Sequence, residues 1–337
     1  MKSRSRVVFG AVLALLLGLV LFSGCGARDT EEAHNTLTEM PKLTAVQLET
    51  GERLKVVATT SIVADVVHNV GGDDIELVRL MPLGADPHAF EPTPRDVAAV
   101  ADAHVVFING AGLETFIEDL LRSAGEDVKV VPVSYGIDML AFDVADEHEV
   151  LPAEDEEADH DYDRDPHTWF DPNNVVIWVD NIREALGALD PSHREAYEAR
   201  AAAYQAQLLD LDVWIRAEVE KLDPARRKLV TDHASLTYFA DEYGFEQVGI
   251  VIPGYSTLAE PSAQQLAALQ ETMEELDISA VFVGVSANES LAQQVAADTG
   301  VELVFLYTGS LSDADGPAST YLDFTRYNVT QIVSALE

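Results

Sequence analysis

The sequence predicts an α/β fold of two lobes, each a mainly parallel sheet flanked by helices, with one long helix joining them. Short β-rich runs alternate with stretches whose apolar residues recur at helical spacing, which is typical of parallel sheets covered by helices. This alternation occupies residues 53–172, stops, and starts again within residues 223–337. Between these two parts, residues 173–222 are predicted to be helical and to include the linking helix.

The first lobe is predicted from four β-rich runs and the amphipathic stretches between them. Its first helix shows the helical spacing most clearly, with apolar side chains at Ile62, Val63, Val66, Val67 and Val70. We expect strands at 54–60, 75–81, 104–109 and 128–133, and further helices at 94–101 and 112–124.

The middle segment contains two predicted helices, 174–189 and 191–222. Pro191 fits the first turn of the second helix, and Asp190 is a suitable cap before it. A helix of this length can run along a whole molecule. In the second lobe we expect strands at 228–231, 247–252, 280–284 and 303–307, and a final helix at 321–336.

The N-terminus carries the features of a secretory signal, predicted to span residues 1–24. Basic residues precede an apolar run, 7–22, which is short for a membrane span, and small residues lead to Cys25. Cys25 is the only cysteine, so an intramolecular disulfide is impossible. Residues 25–52 are predicted to hold this cysteine and a flexible polar tether.

The chain is strongly acidic, with a formal net charge of −38. This charge repels nucleic acid and anionic lipid, so a DNA or RNA partner is not expected. Acidity also suits the collection of cations. We interpret most of it as an adaptation that keeps the protein soluble at high salt.

Three histidines occupy similar places, each in or beside a turn that follows a strand or loop. They are His88, His167 and His233, and proline precedes the first two directly. Proline restricts the local backbone and so lowers the ordering cost of binding an ion. Three neutral imidazoles suit zinc, and manganese or iron less selectively. Spacing alone leaves open that any one of them is a structural histidine.

At these histidines the chain resembles the zinc and manganese ABC-transporter substrate-binding lipoproteins, which are also called adhesin-like lipoproteins. The resemblance covers residues 54–336. Three motifs carry it: Gly-Ala-Asp-Pro-His88-Ala-Phe-Glu-Pro-Thr-Pro, Asp-Pro-His167-Thr-Trp-Phe-Asp-Pro, and Gly316-Pro-Ala-Ser-Thr-Tyr-Leu-Asp-Phe-Thr-Arg-Tyr-Asn328.

The resemblance implies a rigid two-lobe fold with a long linking helix, little hinge closure, and one metal ion in the cleft between the lobes. It implies that His88 and His167 are the ligands from the N-terminal lobe and that His233 is the third. That third position is histidine in zinc-type members and often glutamate in manganese-type members. We therefore expect Zn²⁺, with Mn²⁺ as the alternative, because imidazole is the softer ligand.

The resemblance also implies a location and a partner. Residues 21–25, Leu-Phe-Ser-Gly-Cys, resemble a bacterial lipobox, which implies lipidation of Cys25 after signal removal. The chain is then expected outside the cytoplasm, anchored to the cell membrane, as a monomer that delivers metal to the permease of an ABC importer. The alternative is a secreted protein with a free thiol.

The chain departs from the family at one position. Many members have an aspartate where this sequence has Gly309, which offers no side chain to a metal. The fourth ligand is then a water or a nearby carboxylate, for which Asp313 and Asp232 are the candidates. A site with three histidines and no carboxylate again favours zinc over manganese.

The segment 143–165 holds twelve carboxylates, two histidines (His148 and His160) and a single arginine. Zinc-type relatives often carry a histidine-rich acidic loop at this place. Two interpretations stay open: a low-affinity collector of metal, or a solvated insertion without function.

Other functions were weighed against metal transport. A zinc hydrolase also uses three histidines and a water, and Glu91 or Asp232 could act as its base, but the chain has no His-Glu-x-x-His motif and no nucleophile elbow. We expect no enzyme. A protein that binds haem or chelated iron would share the two lobes without needing these histidines, and an adhesin with a structural metal is the third alternative.

Overall fold

Two parallel four-stranded sheets, one in each lobe, form the frame of the molecule. The computed structural model describes residues 40–125, 128–141, 164–285 and 289–337. The strand order is β2-β1-β3-β4 in the first sheet and β6-β5-β7-β8 in the second, and all pairs are parallel. Helices flank both sheets. The predicted fold class is confirmed.

The N-terminal lobe follows the predicted alternation closely. Its elements are β1 (Leu54–Ala58), α1 (Ser61–Gly71), β2 (Ile75–Arg79), α2 (Pro94–Asp102), β3 (Val105–Ile108), α3 (Ile117–Ala124) and β4 (Val130–Pro132). Helix α1 begins after Thr60, whose side chain accepts from the Val63 backbone N–H. Helix α3 starts later than predicted: Gly112 has a positive φ and cannot be helical, and residues 113–116 form a turn before the helix.

Two helices connect the lobes, α4 (Pro172–Leu189) and α5 (Arg194–Val219). Helix α5 has 26 residues, hence a length of about 39 Å. It packs against α1 of the first lobe and against the last helix of the second. The prediction that this helix begins at Pro191 was wrong: Asp190 ends α4, and its carboxylate accepts from the side chains of Ser192 and Tyr197 in the turn between the helices.

The C-terminal lobe repeats the alternation. Its elements are β5 (Lys228–Thr231), α6 (Thr237–Tyr243), β6 (Glu246–Ile250), α7 (Ala263–Glu275), β7 (Ala280–Gly284), α8 (Glu289–Thr299), β8 (Glu302–Leu306) and α9 (Tyr321–Leu336). Strand β7 is buried over its whole length, as expected for an apolar central strand.

One hydrophobic core runs through both lobes. It includes Leu54 and Phe107 of the first sheet, the buried stripe of α5, and Phe282 and Phe324 of the second lobe. Hydrogen bonds also cross between the lobes. The Asp65 carboxylate on α1 accepts from the first backbone N–H of α9, 3.0 Å away. The lobes are therefore held together by continuous packing as well as by the linking helix.

The described part of the predicted tether is packed and not free. Residues 40–52 lie along the folded body, with Met40, Leu43, Val46 and Leu48 packed against the core. The Val46 N–H donates to the Leu189 carbonyl over 2.8 Å. The proposed signal, Cys25 and most of the acidic segment 143–165 lie outside the described residues. Within the described ranges, no helix combines the length and apolar character that a membrane crossing requires.

Candidate metal centre

The three predicted histidines converge at one point in the cleft between the lobes. The Nε2 atom of His167 lies 3.2 Å from that of His88 and 3.3 Å from that of His233. Nitrogens bound to a tetrahedral zinc ion at about 2.0–2.1 Å are separated by about 3.3 Å. Both distances from His167 thus already match the separation that such an ion requires, and all three ligand atoms lie within 4.8 Å of one another.

The folding of each lobe places these side chains. His88 lies in a turn after β2, and His167 directly precedes a short 3-10 turn, Thr168–Phe170, that leads into α4. His233 follows β5 at the carboxyl end of the second sheet. Ligands in open α/β sheets collect at the carboxyl ends of strands, because the loops there face a common crevice. Two histidines come from the first lobe and one from the second.

Two of the histidines are held by buried carboxylates. Oδ1 of Asp165 accepts from the His167 backbone N–H at 2.8 Å and lies 2.7 Å from its Nδ1. Oδ1 of Asp232 contacts the same two atoms of His233 at 2.7 and 2.8 Å. Carboxylates in this position fix the ring and its tautomer so that Nε2 faces the metal. Both rings are almost fully buried.

His88 is held differently. Its backbone N–H donates to Oδ1 of Asp86 at 3.0 Å. The other oxygen of Asp86 accepts from the Thr257 hydroxyl of the second lobe over 2.5 Å. Asp86 therefore holds the backbone of His88 and not its ring. His88 is only half-buried. It is therefore the least restrained of the three imidazoles.

Burial and mutual repulsion decide the protonation of the cluster. Burial, and then the charges of His167 and His233, lower the pKa of His88 to about 3. Burial, and then His233, hold the pKa of His167 well below its usual range. Burial would also lower the pKa of His233, but the adjacent Asp232 carboxylate overcomes this and raises it. His88 and His167 are thus neutral at physiological pH, the form that binds metal.

The two supporting carboxylates, Asp165 and Asp232, differ in how readily they bind a proton. Burial raises the pKa of Asp165 to about 7, although the His167 backbone N–H opposes this. Burial acts in the same direction on Asp232, but the charge of His233 and hydrogen bonds from His233 and Gly284 outweigh it and lower the pKa. Asp232 is therefore the firmly ionised carboxylate beside the three rings.

Neither predicted fourth ligand joins the cluster. Asp232 directs one oxygen to His233 and the other to the Gly284 N–H at 2.8 Å, and Asp313 is exposed. Among the residues that the structure describes, the three histidines are the one group of histidine, cysteine and acidic side chains arranged to hold an ion. Gly309 does line the site, but a Cβ atom there would lie 2.6 Å from Cδ of Pro87.

The sequence analysis missed the supporting residues. Asp86, Thr257 and Thr308 line the site together with the histidines, and Asp165 lies directly behind one of them. One signal was available for two of these residues, because an aspartate stands two positions before both His88 and His167. Thr257 carries no comparable signal, since it reaches the site only through the folding of the second lobe.

Comparisons with known proteins agree with this geometry. The family model described as "Zinc-uptake complex component A periplasmic" matches residues 56–335. The manganese-binding lipoprotein MntA of Halalkalibacterium halodurans is 33% identical over 332 residues, which cover 98% of this chain and 99% of that protein. The iron-binding protein YfeA of Yersinia pestis is 30% identical over 285 residues, covering 84% and 86%.

Solved structures show the same architecture. The Mn-bound periplasmic metal binding protein from Candidatus Liberibacter asiaticus has a TM-score of 0.73 and 28% identity, covering 85% of this chain and all of that one. The periplasmic zinc binding protein TroA from Treponema pallidum has a TM-score of 0.73 and 29% identity, covering 85% and 99%. The chain belongs to the family of zinc-uptake complex component A, whose members are periplasmic substrate-binding proteins of transporters and not enzymes.

Proposed function

We propose that this chain, the metal-binding component of an ABC importer, captures one Zn²⁺ ion with His88, His167 and His233. The observation that carries the proposal is the convergence of the three Nε2 atoms at 3.2 and 3.3 Å. Two ligands come from one lobe and one from the other, so the ion would bridge the cleft. A fourth position is left for a water or for a group of the transporter.

The preference for zinc rests on the chemistry of the donors. The relatives are named for manganese, iron or zinc, so their names do not choose among these ions. Manganese favours carboxylate and water oxygens, whereas imidazole suits zinc. Among the described residues no carboxylate joins the three imidazoles: Asp232 holds His233, Asp165 holds His167, and Asp86 is engaged by Thr257.

Charge balance supports a divalent cation. Three neutral imidazoles supply no negative charge, and a buried ion without compensating charge is strongly disfavoured. The ionised Asp232 is not one of the three ligands, but its Oδ1 lies 2.8 Å from Nδ1 of His233. It would lower the free energy of the bound ion without occupying a coordination position. The alternative ligands, haem or an iron chelate, fit poorly because the nitrogens are too close together to admit more than a bare ion.

Delivery requires attachment outside the cytoplasm. We propose that residues 1–24 are removed, that Cys25 carries the lipid, and that residues 26–39 form the tether. The folded part would act as a monomer composed of the lobes 53–172 and 223–337 and the helical segment 173–222. Its partner would be the permease of the same importer. The relatives named as lipoproteins support this arrangement.

Calorimetric titration tests the proposal. The metal-stripped domain, residues 26–337, is titrated with Zn²⁺ and then with Mn²⁺, beside the variants His233→Ala and His68→Ala. We expect tight one-to-one zinc binding, weaker manganese binding, and loss of the tight site in His233→Ala. His68 is exposed on α1, so its variant is the matched control and should bind as the wild type does. Tighter binding of manganese would contradict the zinc preference, and absence of a tight site for either ion would contradict the whole proposal.

A further inference from the structure

The N-terminal lobe contains a buried carboxylate whose hydrogen-bond partners include none of the three histidines. Glu114 lies in the turn between β3 and α3 and is 4% exposed. Its Oε1 atom accepts from the Thr59 hydroxyl and the Asn109 backbone N–H, each at 2.6 Å, and Oε2 accepts from the Gly110 N–H at 3.1 Å. These donors are all uncharged. Burial accordingly raises the pKa of Glu114, although the hydrogen bonds oppose this.

The turn that Glu114 holds has an unusual backbone. Gly110, Ala111 and Gly112 have φ values of 80°, 53° and 78°. Left-handed backbone is unfavourable for alanine, which has a Cβ atom, and it persists only where surrounding contacts enforce it. Strained backbone of this kind is concentrated at functional sites. Glu114 accepts from the backbone N–H groups of Asn109 and Gly110 at the start of this turn.

The turn presents one side chain to the segment that carries His167. The Asn109 side chain is fully buried, and its Nδ2 donates to the Pro166 carbonyl at 2.9 Å and to the Gly110 carbonyl at 2.8 Å. Pro166 directly precedes His167. Oδ1 of Asn109 is buried and accepts no hydrogen bond from the described residues. The two hydrogen bonds that Nδ2 donates therefore orient the amide. A chain of contacts thus leads from Glu114 through Asn109 to the backbone of His167.

We propose that Glu114 is a positioning residue of the metal centre: it fixes the strained turn so that Asn109 holds the Pro166 carbonyl and thereby sets the position of His167. This inference rests on the proposed function, in which His167 is a ligand. Asp165 restrains the ring and the backbone N–H of His167, whereas Asn109, held through Glu114, restrains the carbonyl of Pro166 before it. The two restraints act on different atoms. Removing either should weaken metal binding without removing a ligand.

Metal affinity and spectroscopy of four variants of the domain 26–337 test the inference. Glu114→Gln keeps the shape of the side chain but replaces one acceptor oxygen with an NH₂ group. Asn109→Ala removes the contact to Pro166, and the double variant combines both. Asn181→Ala is the matched control, since Asn181 is also a buried amide, lies on α4, and donates from its Nδ2 to the Val133 and Tyr135 carbonyls of this lobe. Zinc affinity is measured by competition with a chelator, and the visible spectrum of bound Co²⁺ reports ligand geometry.

We expect Glu114→Gln and Asn109→Ala each to lower zinc affinity by about 10-fold or more, as loss of outer-shell support does elsewhere. Because both residues act through one path, the double variant should lose about as much zinc affinity as the single variant with the larger loss. Its loss should not be the product of the two single losses. The Co²⁺ spectrum should change in these variants. Asn181→Ala should lower the unfolding midpoint and leave both the affinity and the spectrum unchanged.

Unchanged affinity and spectrum in Glu114→Gln and Asn109→Ala would overturn the inference. An equal loss in Asn181→Ala would overturn it too, because general destabilisation of the lobe would then explain the effect. If Glu114→Gln does not fold, Asn109→Ala decides by the same criteria. A wild-type domain that binds no zinc would contradict the proposed function, whereas wild-type binding with unaffected variants contradicts only this inference.

Discussion

The two lobes share one sheet topology but use it differently. In both sheets the first strand of the lobe lies between the second and the third, so β1 and β5 occupy equivalent positions. The chain after β1 reads Thr59-Thr60 and supplies no ligand, whereas the chain after β5 supplies Asp232 and His233. The N-terminal lobe takes its two ligands from later loops. Equivalent frames therefore do not imply equivalent sites, because function resides in the loops at the strand ends.

A carboxylate bridges the two central strands in each lobe. Glu114 accepts from Thr59 after β1 and from Asn109 after β3. Asp232 follows β5 and accepts from Gly284 at the end of β7. In the second lobe this carboxylate also contacts the histidine itself, whereas in the first it is separated from His167 by Asn109 and Pro166. The second lobe thus provides a ligand and its support from two adjacent residues.

The largest expected effect on zinc binding comes from removing a ligand, and its size should depend on the lobe to which that ligand belongs. With zinc at about 100 times its dissociation constant, the wild type should gain about 2.7 kcal/mol of stability. His233→Ala should lose nearly all of this gain, because no ligand from the second lobe remains. His88→Ala should keep part of it, since His167 and His233 still bridge the cleft. Thermal unfolding with and without zinc measures the difference, and equal losses would contradict the division of labour between the lobes.

The supporting carboxylates should have the next largest effect. Asp232→Asn and Asp165→Asn are expected to weaken zinc binding by about 10- to 100-fold, because an amide oxygen is a weaker acceptor than the carboxylate that orients each ring. Asp232→Asn should cause the larger loss of affinity, since it also removes the firmly ionised group. Asp86→Asn is the internal comparison and should cost less, because Asp86 does not hold the ring of His88. Calorimetry on the three variants gives the order, and a larger loss in Asp86→Asn would reverse our interpretation.

The pH dependence should follow His233. Its pKa is raised above 6.5 in the metal-free protein, so its proton is bound as pH falls through that raised value and must be displaced by the metal. Below this point zinc affinity should fall about 10-fold per pH unit. His88 and His167 have lowered pKa values and should not contribute until far more acidic pH. In Asp232→Asn the fall should begin at lower pH. Chelator competition across pH 5–8 measures both profiles, and identical profiles would contradict this assignment.

The smallest effect is expected at the junction between the lobes. Burial raises the pKa of Asp65 from 3.8 to about 6, although the Tyr321 N–H opposes this. The folded state then binds a proton more readily than the unfolded state, so the Asp65 contribution to stability decreases as pH rises from about 4 to 6. Asp65→Asn should leave the unfolding free energy at pH 7 unchanged or raise it by about 1 kcal/mol. Denaturant unfolding at pH 5 and 7 measures this, and a clear loss at pH 7 would show that the ionised form stabilises the junction.

Local patterns in the sequence predicted most of the frame. The apolar runs of β1 and β7 and the helical spacing of α1 and α9 are local properties, and the structure has these elements close to their predicted bounds. The start of α5 was mispredicted although the contacts around it are local: Asp190 accepts from Ser192 and Tyr197, two and seven residues further along the chain. The packing of residues 40–52 is non-local, since the Val46 N–H donates to the Leu189 carbonyl, and a polar segment with few apolar residues resembles a tether.

The histidines of the site were predictable from the sequence, but the contacts that restrain them were not. The turns that carry His88, His167 and His233, and the proline before the first two, mark these histidines in the sequence, and the family resemblance implied that all three are ligands. The restraints on them were not predictable, because Thr257 lies about 170 residues from Asp86 along the chain and Asn109 about 57 from Pro166. Such contacts exist only once the sheets have formed. Sequence patterns therefore identified the imidazoles, and the structure supplied what holds them.

The single core that runs through both lobes has a consequence for the thermodynamics of capture. Lobes that share buried side chains along α5 cannot swing apart without exposing them, so the cleft is largely assembled before any ion arrives. A preorganised cleft loses little conformational entropy on binding. We expect the radius of gyration to be nearly the same with and without metal. Release would then depend on small movements of the turn that carries His88, the one imidazole whose ring no carboxylate of the described chain restrains.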